Sequence, residues 1–189
     1  MFILGSSSNS RLEILKKLKF FPEKQESPEI DETPKKSETP KLLSIRLAKE
    51  KGLKLSEKYP EKVILSADTV VAVGRRIIDK CNTKEEVISA MKMLSGKNHT
   101  VFTAVCITNK GKQSFRSVET KIKFKRLTEK EIAFFAETGE GIGKAGGYSI
   151  LGFAESFVLK INGSVSSVIG LPSYETTNLL QANGITRSL

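Results

Sequence analysis

Three separated groups of residues in this 189-residue chain share one chemical logic. Ser6, Ser8 and Arg11 stand at the start of an apolar-periodic segment, Asp68 interrupts an apolar run, and Lys80 and Lys144 sit beside turns. Together they suit a polyphosphate. Hydroxyls and backbone N–H groups orient phosphate oxygens, Arg and Lys neutralise charge on a leaving pyrophosphate, and a carboxylate serves a metal ion or a water molecule. None of these elements is specific alone. Small polar turns before helices are ordinarily caps, and an Arg in a first helical turn is ordinarily solvated. Lys51 and Lys80 singly read as surface charges, and Lys144 as the charge of a flexible Gly-rich loop. Asp68 is harder to place, because a carboxylate among apolar neighbours carries a desolvation cost unless it is paired, metal-bound or wet. A functional carboxylate and an Asp that closes a strand by bonding its own turn both remain open.

Other chemistries lack their residues. Gly143-Lys144 is followed by Ala145 and not by the Ser or Thr that a Walker A loop requires. The single histidine, His99, follows a Gly-Lys-Asn turn and reads as a satisfied turn histidine, so no Ser-His or Cys-His hydrolase is supported. Cys81 and Cys106 form no CxxC or Cys/His cluster, which argues against a zinc site or a disulfide framework and fits a reducing cytoplasm.

The elements that must position these residues read as follows. Phe2–Leu4 is a short strand, residues 5–9 are a loop, and Leu12, Ile14, Leu15 and Leu18 follow at helical spacing, with Ser10 and Glu13 as a capping box. A strand, small-residue loop and helix N-terminus in succession make a seat for phosphate. Residues 22–40 carry four of the six prolines and read as a long loop. Thr39 caps and Pro40 starts a helix to about Lys58, with Leu43, Leu47 and the stem of Lys51 on one face. Val63–Ala67 is a doubly buried strand running into Asp68-Thr69 and Val70-Val71, then a turn at Gly74-Arg75 and a return strand Ile77-Ile78. Thr83 with Glu86 and Thr128 with Glu131 are further capping boxes. Val101–Thr108 and Val118–Phe124 are strands, the latter alternating apolar or Thr positions with lysines. Phe157–Ile161 and Val165–Val168 read as strands flanking a hairpin turn at Asn162-Gly163, and a last helix stops at Gly184.

The length suits one domain or two tightly joined lobes, and no internal linker divides residues 1–189. A hydrophobic fraction of 39% and a charged fraction of 28% set aside disordered and fibrous classes. No segment reads as a signal peptide or a membrane span. The net charge of +10 rests on 24 Lys and only 7 Arg spread along the chain, which reads as a solvated Lys-rich surface and not as a nucleic-acid interface.

Several stretches, in order and spacing, resemble the Maf family over nearly the whole chain. They are Gly5-Ser6-Ser7-Ser8-Asn9-Ser10-Arg11-Leu12-Glu13, Ser66-Ala67-Asp68-Thr69-Val70-Val71, Leu94-Ser95-Gly96-Lys97-Asn98-His99, Gly143-Lys144-Ala145-Gly146-Gly147-Tyr148 and Val168-Ile169-Gly170-Leu171-Pro172. The resemblance implies an α/β fold with a mixed central sheet flanked by helices and two lobes around a cleft, similar to the inosine triphosphate pyrophosphatases. It implies frequent homodimers and hydrolysis of nucleoside triphosphates to monophosphate and pyrophosphate with Mg²⁺ or Mn²⁺, with a house-cleaning role as one expectation. On this pattern Asp68 is the catalytic carboxylate and, with Glu32, a metal ligand. Ser6, Arg11, Lys51 and Lys80 contact phosphate, and Ser10, Thr69 and Leu151 fall at specificity positions. Thr69 matches the branch acting on dTTP and UTP, which commonly has Arg at Ser10 and Gln at Leu151, so base discrimination is expected to be weaker or different. Cys81 and Asn9 stand where the family usually has Pro. The alternative is a non-catalytic nucleotide-binding regulator of septum formation.

Overall fold

Strand β3 (Val63–Val73) is the axis on which the molecule is built. The computed structural model describes residues 1–188. In it β3 pairs along one edge with β5 (Asn98–Asn109), antiparallel, from Ile64↔Thr108 to Ala72↔Thr100. Its other edge has two successive partners. Strand β1 (Phe2–Gly5) runs parallel to it and ends at the pair Gly5↔Ser66, and β4 (Arg76–Ile78) pairs antiparallel only from Val71 onward. Residues 67–70 therefore have no strand on that edge, and Asp68 and Thr69 lie in the gap. The short β2 (Lys24–Gln25), β6 (Lys112–Phe124) and β7 (Val158–Asn162) complete a mixed seven-stranded sheet in the order β2-β1-β3-β5-β6-β7, with β4 attached to β3. The mixed α/β class expected from the sequence is the one observed.

Successive strand side chains alternate faces, so β3 serves two layers at once. Its even positions meet helix α2 (Pro40–Lys58): Val70 packs with Leu43 and Leu47, and the Ser66 hydroxyl donates to the Ala48 carbonyl at 2.7 Å. A side chain at Gly52 would strike Thr108 Oγ1 at 2.4 Å and Ser66 Oγ at 2.8 Å. Only glycine there lets α2 lie this close to the sheet. The odd positions feed two separate apolar clusters. Leu65 and Ala67 join α1 (Asn9–Lys17) and α6 (Ser173–Ala182), whereas Val71 joins α3 (Lys84–Leu94) and α4 (Glu129–Glu137). Thr69 falls on the seam between them.

Local signals succeed where the bond they predict is made. Thr39 caps α2 with Pro40 in its first turn, and Thr128 and Glu131 exchange both bonds of a capping box. At Thr83 only half the box forms: the threonine caps, but the Glu86 carboxylate accepts from Asn82 N–H. The first box does not form. Ser8, not Ser10, is the N-cap of α1, because the helix already starts at Asn9, and Glu13 pairs with Lys16 at 2.8 Å. The expected strand Val165–Val168 is instead helix α5 (Val165–Ile169), capped by Ser164 Oγ. Asn162-Gly163 does not close a hairpin. Gly163 has φ +136°, a region that favours glycine, and a Cβ there would meet Thr120 Oγ1 at 2.5 Å. His99 stands at the start of β5, as its place after the Gly-Lys-Asn turn implies, but it is a buried strand residue and not a turn histidine. Among the described residues no helix is long and apolar enough to cross a membrane.

Candidate functional site

The gap beside β3 opens into a cleft of about 440 Å³. Every residue that the sequence assigned to phosphate, metal or nucleoside lines it: Ser6, Ser8, Ser10 and Arg11 from the β1–α1 loop and α1, Glu32 from the long loop, Lys51 from α2, Asp68 and Thr69 from β3, Lys80 after β4, and Lys144 and Leu151 from the Gly-rich segment. Four cations against two carboxylates give the lining a surplus of positive charge, which suits a polyanion.

On the α2 face of β3, Asp68 is 7% exposed and Lys51 is 6% exposed, and Lys51 Nζ lies 2.7 Å from Asp68 Oδ1. The same ammonium lies 2.7 Å from Glu32 Oε1. Asp68 thus does not bond its own turn. The pairing follows from packing: Leu43, Leu47 and Lys51 share one helical face, and Gly52 brings that face against the strand. Ala104, opposite Asp68 in the register, leaves room. Glu32 is held from behind by Arg46. Its guanidinium donates to the carbonyls of Asp31 at 3.4 Å and Thr33 at 2.9 Å, the two neighbours of Glu32, and forms ion pairs with Glu38 and Glu50. Partial burial acts to raise the Glu32 carboxyl, but the hydrogen bond from Lys51 and the charges of Lys51, Lys80 and Arg11 hold it below the usual range.

On the opposite face, Arg11 spans three elements. Its Nε donates to Gly170 O at 2.8 Å, Nη1 to Ser6 Oγ at 2.9 Å and Nη2 to Thr69 Oγ1 at 3.3 Å. All three acceptors are neutral. Burial lowers the Arg11 pKa while Asp68 and Glu32 oppose the shift, and a guanidinium remains charged regardless. Ser6 Oγ also accepts from Ser8 N–H at 3.2 Å, so both its lone pairs are engaged and its own O–H remains to donate. A hydroxyl donor beside a helix N-terminus and a guanidinium fits a phosphate oxygen.

Lys80 and Lys144 form the third wall. The backbone of Lys80 bridges to Ala145, Gly143 N–H donates to Cys81 O at 2.7 Å, and Gly146 N–H donates to Asp79 O at 3.2 Å. The Gly-rich segment is therefore tied to the chain after β4 and is not the free loop its composition suggested. Behind it Tyr148, a lining residue, bonds His99 through its hydroxyl at 2.7 Å. Burial pushes His99 down to about 4 and the Tyr148 phenol up. Reading the sequence missed the Gly170 carbonyl, Tyr148 as a wall and the hydroxyls of Thr103 and Ser167 behind Thr69. Only the motif stretches around them offered a signal.

Two carboxylates converging on one cation are a donor set that suits Mg²⁺ or Mn²⁺, ions that take oxygen ligands and leave further positions to water and phosphate. Among the described residues no group of three or more His, Cys, Asp or Glu is placed to hold a metal.

Comparison with known proteins identifies the family. A family profile described as Maf-like protein matches residues 1–183. A Neorickettsia sennetsu protein named nucleoside triphosphate pyrophosphatase is 49% identical over 185 residues, covering 97% of this chain and 88% of its own. A protein of the same name from Ehrlichia chaffeensis is 49% identical over 179 residues, covering 94% and 93%. One from Rickettsia rickettsii is 46% identical over 187 residues, covering 96% and 87%.

Proposed function

Since this chain belongs to the Maf-like protein family, we propose that it hydrolyses nucleoside triphosphates to the monophosphate and pyrophosphate in the cleft beside β3. The observation that carries the reading is a buried carboxylate, Asp68, set in a cleft lined by Arg11, Lys51, Lys80 and Lys144.

In this reading the triphosphate lies across the N-terminus of α1, with the Ser6 hydroxyl and Arg11 on its oxygens and Lys80 and Lys144 on the opposite wall. Asp68 orients a water molecule toward the α-phosphorus and takes its proton as the new P–O bond forms. The bond to the β-phosphate oxygen breaks, and pyrophosphate leaves with charge that Arg11, Lys51 and Lys80 stabilise. Glu32 and Asp68 would hold a Mg²⁺ or Mn²⁺ ion, which when bound neutralises phosphate charge and polarises the reacting oxygens. Lys51 keeps the two carboxylates together through its two 2.7 Å contacts.

Ser10, Thr69 and Leu151 line the remainder of the cleft and are assigned to the nucleoside. A short hydroxyl at Ser10 and an alkyl chain at Leu151 offer few donors to a base edge, which favours broad selection among pyrimidine and modified nucleotides. A cytoplasmic homodimer completes the proposal. Its supports are two free, buried thiols, Cys81 and Cys106, and the exposed apolar side chains Leu42 and Leu53 on α2.

The test is pyrophosphate release from a panel of canonical and modified nucleoside triphosphates with Mg²⁺ or Mn²⁺. Release that disappears in Asp68→Asn is expected. A folded wild-type protein that releases none from any nucleotide with either metal would favour a nucleotide-binding regulator instead.

A further inference from the structure

Thr103 is fully buried on β5, directly opposite Thr69 in the strand register. Its Oγ1 lies 2.7 Å from the Ser167 carbonyl and 3.1 Å from Thr69 Oγ1. A carbonyl has no hydrogen to give, so the single hydroxyl hydrogen of Thr103 goes to Ser167. The contact between the two threonines then needs the hydrogen of Thr69. Thr69 Oγ1 also accepts from Arg11 Nη2. One lone pair of Thr69 is left, on a residue that lines the cleft.

The remaining bonds close a ring. Ser167 O accepts Gly170 N–H at 3.0 Å, and Gly170 O accepts Arg11 Nε–H at 2.8 Å. Arg11, Thr69, Thr103, Ser167 and Gly170 are thus one circuit linking α1, β3, β5 and the end of α5. Thr120 Oγ1, 2.8 Å from Ser167 Oγ, secures it from β6. The polarity is opposite to that of Ser6, whose lone pairs are both taken and whose hydrogen is free.

We propose that Thr103 is a positioning residue for nucleotide selection: by taking the hydroxyl hydrogen of Thr69 it leaves Thr69 an acceptor only. The substrate class it selects carries an N–H or O–H hydrogen at that point, and nucleotides presenting a bare carbonyl or ring nitrogen there are disfavoured. This inference rests on the nucleoside triphosphate reading above and adds to it a residue that does not line the cleft. Because Arg11 belongs to the same circuit, Thr103 also limits the motion of the guanidinium.

The experiment compares Thr103→Val, Thr103→Ser, Thr69→Val and the Thr69→Val/Thr103→Val double variant. Valine keeps the shape, and Ser167 O retains its bond from Gly170 N–H, so the fold should persist. Loss of one hydrogen-bond acceptor is expected to shift the ratio of kcat/KM between preferred and disfavoured nucleotides by about tenfold, chiefly through KM. Thr103→Ser should restore the ratio. In the Thr69→Val background Thr103→Val should add nothing, the coupling expected of a residue acting through its neighbour. In parallel, NMR should show exchange of the Arg11 Nε hydrogen about tenfold faster in Thr103→Val than in wild type or Thr103→Ser.

Unchanged nucleotide ratios with a lowered Tm would reduce Thr103 to a structural residue and overturn the proposal, as would effects of Thr69→Val and Thr103→Val that simply multiply. A wild-type protein that hydrolyses no nucleotide defeats the pyrophosphatase reading instead. Arg11 exchange then still decides whether Thr103 holds the circuit, and equal rates in wild type and Thr103→Val would show that it does not.

Discussion

Asp68 and Thr69 are consecutive residues of β3, yet their side chains enter opposite environments. Asp68 sits under α2 with Lys51 and Glu32, where every partner is charged. Thr69 sits over the seam between the two larger apolar clusters, where Arg11 meets only neutral oxygens: a carbonyl and two hydroxyls. The first face can move a proton and hold a cation, because its groups change charge or attract charge. The second offers a fixed charge held in one orientation, because its hydroxyls and carbonyl accept from the Arg11 guanidinium and none of them changes charge. A strand edge without a partner lets one cleft use both, and on the proposed reading the same alternation that buries a sheet on two sides becomes a division of labour between proton transfer and positioning.

The sharpest way to break this division is Asp68→Asn. Asparagine preserves the shape and still accepts from Lys51, but it neither takes a proton nor carries charge. Pyrophosphate release should fall by about a thousandfold, within the range expected when a general base is removed, with Tm nearly unchanged. Comparable activity in the variant would remove Asp68 from the mechanism and the division with it.

The neutral face can be tested by forcing charge into it. His99 shares this face with Thr103, and its Nδ1 is buried without a hydrogen-bond partner among the described residues. Its folded pKa of about 4 lies below the ordinary 6.5, so the neutral form is the one the fold accepts. Above 6.5 neither state is protonated and this stability is complete. As pH falls from 6.5 to 4 the unfolded chain takes a proton that the folded protein refuses, and stability falls by up to about 3 kcal/mol. Denaturant titrations at pH 7 and 4.5 should show this loss in wild type and a smaller one in His99→Phe. Equal losses would mean that other groups carry the acid sensitivity.

Arg11→Lys probes the same face more gently. Lysine keeps the charge but cannot reach Gly170, Ser6 and Thr69 from one planar fork. Two lost hydrogen bonds correspond to about 2 kcal/mol, or about thirtyfold in kcat/KM. A loss of only twofold would mean that charge, and not geometry, is what Arg11 contributes.

The charged face was more legible in the sequence than the neutral one, for a physical reason. A carboxylate among valines contradicts its surroundings and can be noticed one residue at a time, whereas Lys51 singly reads as a surface charge and is marked only by sharing a helical face with Leu43 and Leu47. Thr69, Thr103, Ser167 and Gly170 contradict nothing: threonine and serine suit strands and caps, and their meeting depends on the β3–β5 register and on where α5 docks. The same distinction explains the fold. Thr128 and Glu131 bond within four residues and were readable as a box, whereas Gly163 takes its conformation from Thr120, 43 positions earlier in the chain. An Asn-Gly pair followed by valines then resembled a hairpin although Ser164 caps a helix. Ser8 captured the cap expected at Ser10 because the Ser6 hydroxyl fixes its N–H. The lysines of β6 and its alternating burial were legible, being a property of one strand alone.

On the charged face Glu32 is half-exposed on a long loop opposite Lys51, and its position depends on Arg46 more than on its own neighbours. Arg46 reaches both flanking carbonyls and two carboxylates, so replacing it by Gln releases the segment from α2 without touching the cleft. Arg46→Gln should therefore leave most of kcat at saturating Mg²⁺ or Mn²⁺ while raising the metal concentration for half-maximal activity by about tenfold, as expected when a supporting partner of a metal ligand is lost. Glu32→Gln should raise it at least as far, and the two changes together should do no more than Glu32→Gln alone. Independent, multiplying effects would mean that Arg46 acts elsewhere and that Glu32 is held by Lys51 by itself.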